Sequence, residues 1–436
     1  MAEHVTARQF QAAEGTTDWR VLARGASATF RTGSLREGAA LVERVGALAD
    51  AAGHHPDVDL RSRAVVVRVL SHGEHALTTD DVGLARAVST AARGLRLVAD
   101  PSAAQDVDLT IDTQDVGAAR AFWSAALGHV LAGEEDVVDP HRRWPNAWFQ
   151  EMDVRRPLRN RVHLDVFVPR ELRPVRHAAV LAAGGRVVNE SFAPQWWTLA
   201  DPEGNEVDLE GWDVFPVDLP EPWLTPDAFL SAPGVEDWRF LQGVSAYWAG
   251  PWAHLVELVA RTAALADDAR LAAYVDLRPD GVTVRLGPPD EGWVARADLA
   301  LAQQVQAAAR ALGLVADPAV VRDVQLTFDA LDIRAVQRFW AAALAYVERE
   351  ETDLYDPLLR GPSIFLQQLD APREQRNRIH VDVFVAHDQA RARVDAALAA
   401  GGRLVRDRAP FWWTLADPEG NEVDVAVSVG REEAWS

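Results

Sequence analysis

The sequence contains no cysteine and no lysine. The first absence removes disulfides, thiolate nucleophiles and cysteine-rich zinc sites together. The second removes Schiff-base chemistry and leaves arginine as the only long cationic side chain. Positive charge is scarce overall, with a formal net charge of −21. A surface of that sign repels phosphate backbones, so nucleic acid is not an expected partner. No apolar run approaches the ~20 residues of a membrane helix, so no membrane partner is expected. The first ten residues, MAEHVTARQF, lack an apolar core and a small-residue cleavage site. No secretory signal is therefore expected, and a cytoplasmic location is. What remains is ordinary globular usage, 48% hydrophobic and 25% charged over 436 residues. At roughly 100–200 residues per domain, two to four domains are expected.

The chain is a tandem duplication. WWTLADPEGNEVD occurs at Trp196–Asp208 and again at Trp412–Asp424, and NRVHLDVFV at Asn160–Val168 returns as NRIHVDVFV at Asn377–Val385. ARGLRLVADP (Ala92–Pro101) and VDLTID (Val107–Asp112) also return, as ARALGLVADP (Ala309–Pro318) and VQLTFD (Val324–Asp329). The offset is 217 residues for most of the chain and 216 for the last words. Each half divides again by texture, which predicts four domains at 1–102, 103–218, 219–320 and 321–436. Asp213–Pro233, rich in proline and acid, is expected to link the halves.

In the first unit, Ser34-Leu-Arg-Glu37 is a capping box before apolar residues at helical spacing, which predicts a helix over Leu35–Ala52. Ala64–Leu70 is β-branched and reads as a strand. Thr78-Thr-Asp-Asp81 caps a second helix. The expected fold is α+β, with helices on one face of a sheet. Between helix and strand lies Gly53-His54-His55-Pro56-Asp57, and His72 follows the strand. Histidine moves protons near neutral pH without a large pKa shift. On spacing alone, a proton-handling cluster and a polar loop stiffened by proline are equally good readings.

The wider pattern resembles a known family. Asp50, three residues on His54-His55-Pro56, then His72, then Asp81 opening a helix, is similar to the signature of pterin-4a-carbinolamine dehydratases. The resemblance spans about residues 5–97 and includes Trp19 and Phe30, with Ser62 standing where the family pattern expects an aromatic residue. It implies dehydration of a 4a-hydroxytetrahydropterin to the quinonoid dihydropterin without a cofactor. His54, His55 and His72 are then the acid/base set and Asp81 their polar partner. In the duplicate, these histidines map to Leu271, Ala272 and Pro289, while Val58-Asp-Leu-Arg61 returns as Val275-Asp-Leu-Arg278 and Asp81 as Asp298. The second copy is expected to keep the fold, lose the activity and pair with the first as an internal pseudo-dimer. A homo-oligomer built on such pseudo-twofold pairs is a further expectation.

The second unit of each half reads strand, helix, strands, then strand, helix, strands. Val107–Asp112 and Val162–Phe167 alternate apolar and polar residues, Gly117–Leu127 is helical up to Gly128, and Ala178–Ala183 up to Gly184-Gly185. That order, with ARAFWSAALG, NRVHLDVFV and LADPEGNEVD, resembles the glyoxalase-like, vicinal-oxygen-chelate superfamily, whose paired βαβββ modules form a cup. The resemblance implies a divalent metal held by Asp108, His163 and Asp208 in the first cup, and by Gln325, His380 and Asp424 in the second. Gln150 and Gln367 are fourth-ligand candidates. Two carboxylates and an imidazole suit a hard-to-borderline ion; an empty or organic-ligand cup is the alternative. Trp196-Trp197 and Trp412-Trp413 could stack on a flat ligand or pack as cup wall. Arg155, Arg156, Arg159 and Arg161 could attract an anion or offset the acidic surface.

Three functions follow. The first is a pterin dehydratase with appended ligand-binding cups. The second is a metal-dependent lyase or oxygenase with pterin-like assembly modules. The third is a binding protein without catalysis. The histidine set favours the first.

Overall fold

A computed structural model of the chain describes residues 2–71, 76–152, 154–211, 219–287, 293–349 and 351–431. The fold is α+β, in two layers. The expected helix runs Leu35–Ala52, with the Ser34 hydroxyl accepting from the Glu37 amide and Gly53 closing it in the left-handed conformation. Its repeat, Trp252–Ala269, is closed the same way by Arg270. These two helices pack on each other over one face of a ten-stranded sheet.

That sheet is two half-sheets joined edge to edge. The first half contributes Arg20–Leu22, Gly25–Arg31, Ala64–Val69 and Asp57–Arg61 in spatial order. The second follows with Ala273–Arg278, Gly281–Leu286, Gly243–Ala249 and Arg239–Leu241. At the seam Asp59 stands opposite Asp276 in an antiparallel pair. Like charges facing each other destabilise a sheet. Each is therefore paired with an arginine from the opposite half: Arg278 lies 2.8 Å from Asp59 and Arg61 2.6 Å from Asp276. Burial alone would raise Asp276, but Arg61, Arg143 and Arg278 hold it far below the usual carboxylate range. The repeated Val-Asp-Leu-Arg is thus the seam of an intrachain pseudo-dimer.

The second layer consists of four βαβββ modules at residues 105–151, 162–210, 323–368 and 379–426. They form two eight-stranded sheets, but the two modules of one half do not pair with each other. Gln105–Thr113 runs antiparallel to Ile379–Val385, and Val162–Phe167 to Asp323–Ala330. Each cup therefore takes one module from each half. This corrects the expectation that 103–218 and 321–436 each close a cup alone. The crossing is clasped reciprocally. Arg161 donates to Asn421 and Asn377, while Arg378 donates to Asn205 and Asn160.

The two layers meet through more buried ion pairs. Arg68–Asp106, Arg285–Asp323, Arg142–Asp57 and Arg143–Asp276 tie the open face of the ten-stranded sheet to the cup layer. Of the expected linker, Trp223–Leu224 pairs with Val294–Ala295 and Pro226–Leu230 is a helix that buries Phe229. Residues 212–218 lie outside the described residues. Ser62 is exposed in the turn at the far end of strand Asp57–Arg61 from His54, so the unusual residue lies away from His54 and His55. Among the described residues, no helix is long and apolar enough to cross a membrane.

Removing one partner of a buried pair leaves an uncompensated charge and costs about 3–5 kcal/mol. Arg278→Met should therefore destabilise the chain by about that amount in chemical denaturation, through the stranded Asp59. Adding Asp59→Leu should recover most of the loss.

Candidate functional site

The histidine pair sits where the first long helix ends. Left-handed Gly53 turns the chain, and the His54 amide donates back to the Ala49 carbonyl. That turn aims His54 at the start of helix Thr79–Gly94. Its Nε2 lies 2.7 Å from Asp81 Oδ1, and Asp81 is fully buried. The other carboxylate oxygen of Asp81 accepts from the Ser71 hydroxyl at 2.8 Å and from the Thr78 amide and hydroxyl. Asp81 is therefore a capping residue and a histidine anchor at once. Its hydrogen bond raises the His54 pKa above the ordinary value near 6.5, against the opposing effect of burial. Burial pushes Asp81 up, yet the bonds from His54, Ser71 and Thr78 outweigh it and hold Asp81 low.

His55 points elsewhere. Its Nε2 lies 3.2 Å from Asp50 Oδ1, and its ring is 4.8 Å from that of Trp252 in the other half. His72 and its counterpart Pro289 lie outside the described residues. Trp19 is buried and donates to the Ser89 hydroxyl, and Phe30 is buried beside it in the same core.

The cups sort the metal candidates differently from the order along the chain. His163 and Asp208 do come together, joined by Asp165, with His163 Nε2 3.5 Å from Asp165 and 3.8 Å from Asp208. Asp108 is not with them. It lines the other cup, with His380, Asp382 and Asp424. Gln325 moves the opposite way and faces Asp165 across the strands. The exchange of modules is the cause. Asp165 and Asp382 were absent from the expected ligand sets, although the alternation of His163-Leu-Asp165 and His380-Val-Asp382 puts each on its histidine's face.

The cup formed by residues 105–151 and 379–426 encloses about 480 Å³. Three aspartates stand in a row across its floor, with Asp382 between Asp108 and Asp424. Burial, opposed in part by His380 and reinforced by Asp424, pushes Asp382 up to about 7. Arg24 reaches in from the first sheet and clamps Asp108, also donating to the Val107 and Trp144 carbonyls. Asp108 is therefore spent on an ion pair. The duplicate replaces both partners, with Gln242 before the repeated strand where Arg24 stands and Gln325 for Asp108. In the other cup, burial raises Asp165 well above the usual range and Glu210 to about 8, while it lowers His163.

The donor set His380, Asp382 and Asp424 fits a divalent ion. The ligand atoms lie within 4.8 Å of one another, and His380 Nδ1 and Asp424 Oδ1 are buried without a hydrogen-bond partner. Gln150 and Gln367 each donate an amide to a neighbouring aspartate, Asp112 and Asp329. The tryptophan pairs split, with Trp412 lining the cavity and Trp413 and Trp197 buried in the core. Arg156, Arg159 and Arg161 are engaged with Asp112, with Glu206 and Asp329, and with Asn421. They make clasps, not an anion site.

The Asp81 bond has a pH signature. A histidine whose folded pKa is raised adds stability below its unfolded pKa, and that stability is lost as pH rises through the folded value. Asp81→Asn should lower the His54 midpoint in ring-proton NMR titration. It should also remove this part of the fall in melting temperature above about pH 6.5.

Comparison with known proteins agrees with these two layers. Residues 3–91 match the pterin 4 alpha carbinolamine dehydratase family, and residues 108–210 and 325–426 match the glyoxalase-like domain family. A Nocardia farcinica protein, provisionally named a pterin-4-alpha-carbinolamine dehydratase, is 40% identical over 76 residues, covering 17% of this chain and 80% of that protein. A Chloroflexus aurantiacus protein of the same provisional name is 38% identical over 71 residues, covering 16% of this chain and 76% of that protein. Among solved structures, a glyoxalase I variant from Zea mays aligns at 10% identity and a TM-score of 0.40, over 77% of this chain and 98% of its own. The chain belongs to the pterin-4a-carbinolamine dehydratase family through its N-terminal residues, and it carries glyoxalase-like sequence in each half.

Proposed function

We propose that residues near the N-terminus dehydrate a 4a-hydroxytetrahydropterin, using His54 and His55 as the proton-handling pair. The observation that carries this reading is the buried Asp81 carboxylate 2.7 Å from His54, with no comparable imidazole in the duplicate, where Leu271 stands instead. A histidine whose protonated form is favoured by a buried carboxylate is suited to donate a proton near neutral pH. With Nε2 tied to Asp81, the proton to be given is the one on Nδ1. It goes to the 4a-hydroxyl, the C4a–O bond breaks and water leaves. A ring-nitrogen proton passes to a base, for which His55 beside Asp50 is placed. No electrons change hands, so no redox cofactor is needed. Asp81 favours the protonated form of His54 and orients its ring; His72 completes the set by family resemblance.

A second reading has its own support, in the cup of residues 105–151 and 379–426. His380, Asp382 and Asp424 would hold a divalent metal, which would supply Lewis-acid chemistry to a small ligand against Trp148 and Trp412. Arg24 and Asp108 would close one side of that cup. The reading as a metal-dependent lyase or oxygenase needs this site loaded; the reading as a binding protein needs the ligand alone.

Generating the 4a-hydroxytetrahydropterin in situ and following its decay tests the first reading. Wild type should accelerate it, and His54→Ala and His55→Ala should each lose about 100-fold or more. A wild-type rate equal to the spontaneous one would reject the dehydratase assignment. For the cup, metal-free protein titrated with Mn²⁺ should bind it, and Asp382→Asn should abolish binding. Binding that survives Asp382→Asn would place the ion elsewhere.

A further inference from the structure

The pseudo-dimer is not symmetric where it meets the histidines. Helices Leu35–Ala52 and Trp252–Ala269 are repeats at an offset of 217, and the C-terminal end of the first lies by the N-terminal end of the second. At that junction Trp252 sets its ring 4.8 Å from His55, tilted by 60°. The mirrored positions hold Leu35 and Ala272. The half that kept the histidine thus has an aromatic ring against it, where the mirrored position in the other half holds a leucine.

The tryptophan is fixed in place. Its Nε1 donates to the Gly46 carbonyl at 3.3 Å, and only 8% of the residue is exposed. Gly46 is what lets the helices cross this closely. A Cβ there would sit 2.9 Å from the Val256 side chain. A second asymmetry concerns the carboxylates. Asp267 caps the start of the first helix, accepting from the Leu35 and Arg36 amides. Its repeat, Asp50, faces a helix start preceded by Pro251 and places its Oδ1 3.2 Å from His55 Nε2. The same aspartate is a helix cap in one copy and a histidine partner in the other. His55 is 30% exposed, so without these two contacts its ring would be free to rotate into solvent.

We infer that Trp252, supplied by the half that has lost its own histidines, is a positioning residue for His55. It holds the imidazole on the edge of Asp50 in the orientation that meets the substrate. The inference rests on the dehydratase reading for its catalytic consequence, but the ring contact can be measured without it. The second half is then more than a scaffold, because the one intact site is completed across the pseudo-dimer junction.

The test uses the full chain with Trp252→Phe and Trp252→Leu, the latter placing the mirrored residue there. Ring-proton NMR should show the His55 signal displaced by the indole ring current in wild type and returned toward the free value in Trp252→Leu. In the dehydration assay, Trp252→Leu should lower kcat about tenfold with KM nearly unchanged, while Trp252→Phe should keep most of the rate. Melting temperatures of both variants separate this from a loss of packing. Trp252→Leu with wild-type kcat would overturn the inference, as would Trp252→Phe falling as far as Trp252→Leu. An unshifted His55 signal in wild type would overturn it independently of activity. A wild type without dehydratase activity but with the shifted signal would instead reject the reading on which its catalytic half rests. Should Trp252→Leu fail to fold, Asp50→Asn, which leaves the packing intact, should lower kcat with the same KM pattern; an unchanged kcat there would also overturn it.

Discussion

The seam between Asp57–Arg61 and Ala273–Arg278 decides how the rest of the chain can be arranged. Two aspartates face each other across paired strands, a placement that repels unless it is neutralised. Arg61 and Arg278 neutralise them crosswise, so neither half satisfies its own charge. Buried charges of this kind contribute little net stability but penalise every misaligned arrangement heavily. The seam fixes the two long helices against each other on one face. On the other it fixes which surface meets the cup layer, through Arg68, Arg142, Arg143 and Arg285. The site at His54 and His55 hangs on the same seam, since the strand begins two residues after His55.

The same reciprocity governs the cups. Arg161 and Arg378 each bond to asparagines of the other half, and the modules pair across the duplication. The repeated words therefore mark different jobs. Val-Asp-Leu-Arg joins sheets, Asn-Arg clasps the crossing, and the His-x-Asp that follows lines the cups. Once both copies were bound in one chain, residues on the two sides were free to diverge. They have done so in matched pairs: Arg24 with Asp108 against Gln242 with Gln325, and His55 with Trp252 against Ala272 with Leu35. An ion pair on one side corresponds to two uncharged residues on the other. A proton-handling type of side chain faces a ring, and where it is replaced by alanine the ring's position holds leucine.

Much of this was legible in the sequence, and the limits have physical causes. The capping box at Ser34, the β-branched run at Ala64 and the helix start at Thr78 are local signals, and each produced its element. His54, His55 and Asp81 were recognisable because their spacing is set by one helix end and one helix start. The partner of each module was not legible. Period-two alternation tells which face a residue occupies but not which strand lies alongside, so Asp108 was grouped with His163 when it belongs beside His380. Arg24 and Trp252 carry no local signal at all. Their roles come from contacts across more than eighty residues of chain and from the junction of the two halves. Asp165 and Asp382 had a signal, two residues beyond each histidine, that only the paired strands made meaningful.

The account holds that one chain contains two copies of the dehydratase fold but a single working site. The number of pterin-binding sites per chain measures that directly. Calorimetric titration of the intact protein with an oxidised pterin should give one site per chain, lost in His54→Ala and unaffected by Asp382→Asn. Two equivalent sites, or binding that survives His54→Ala, would contradict it.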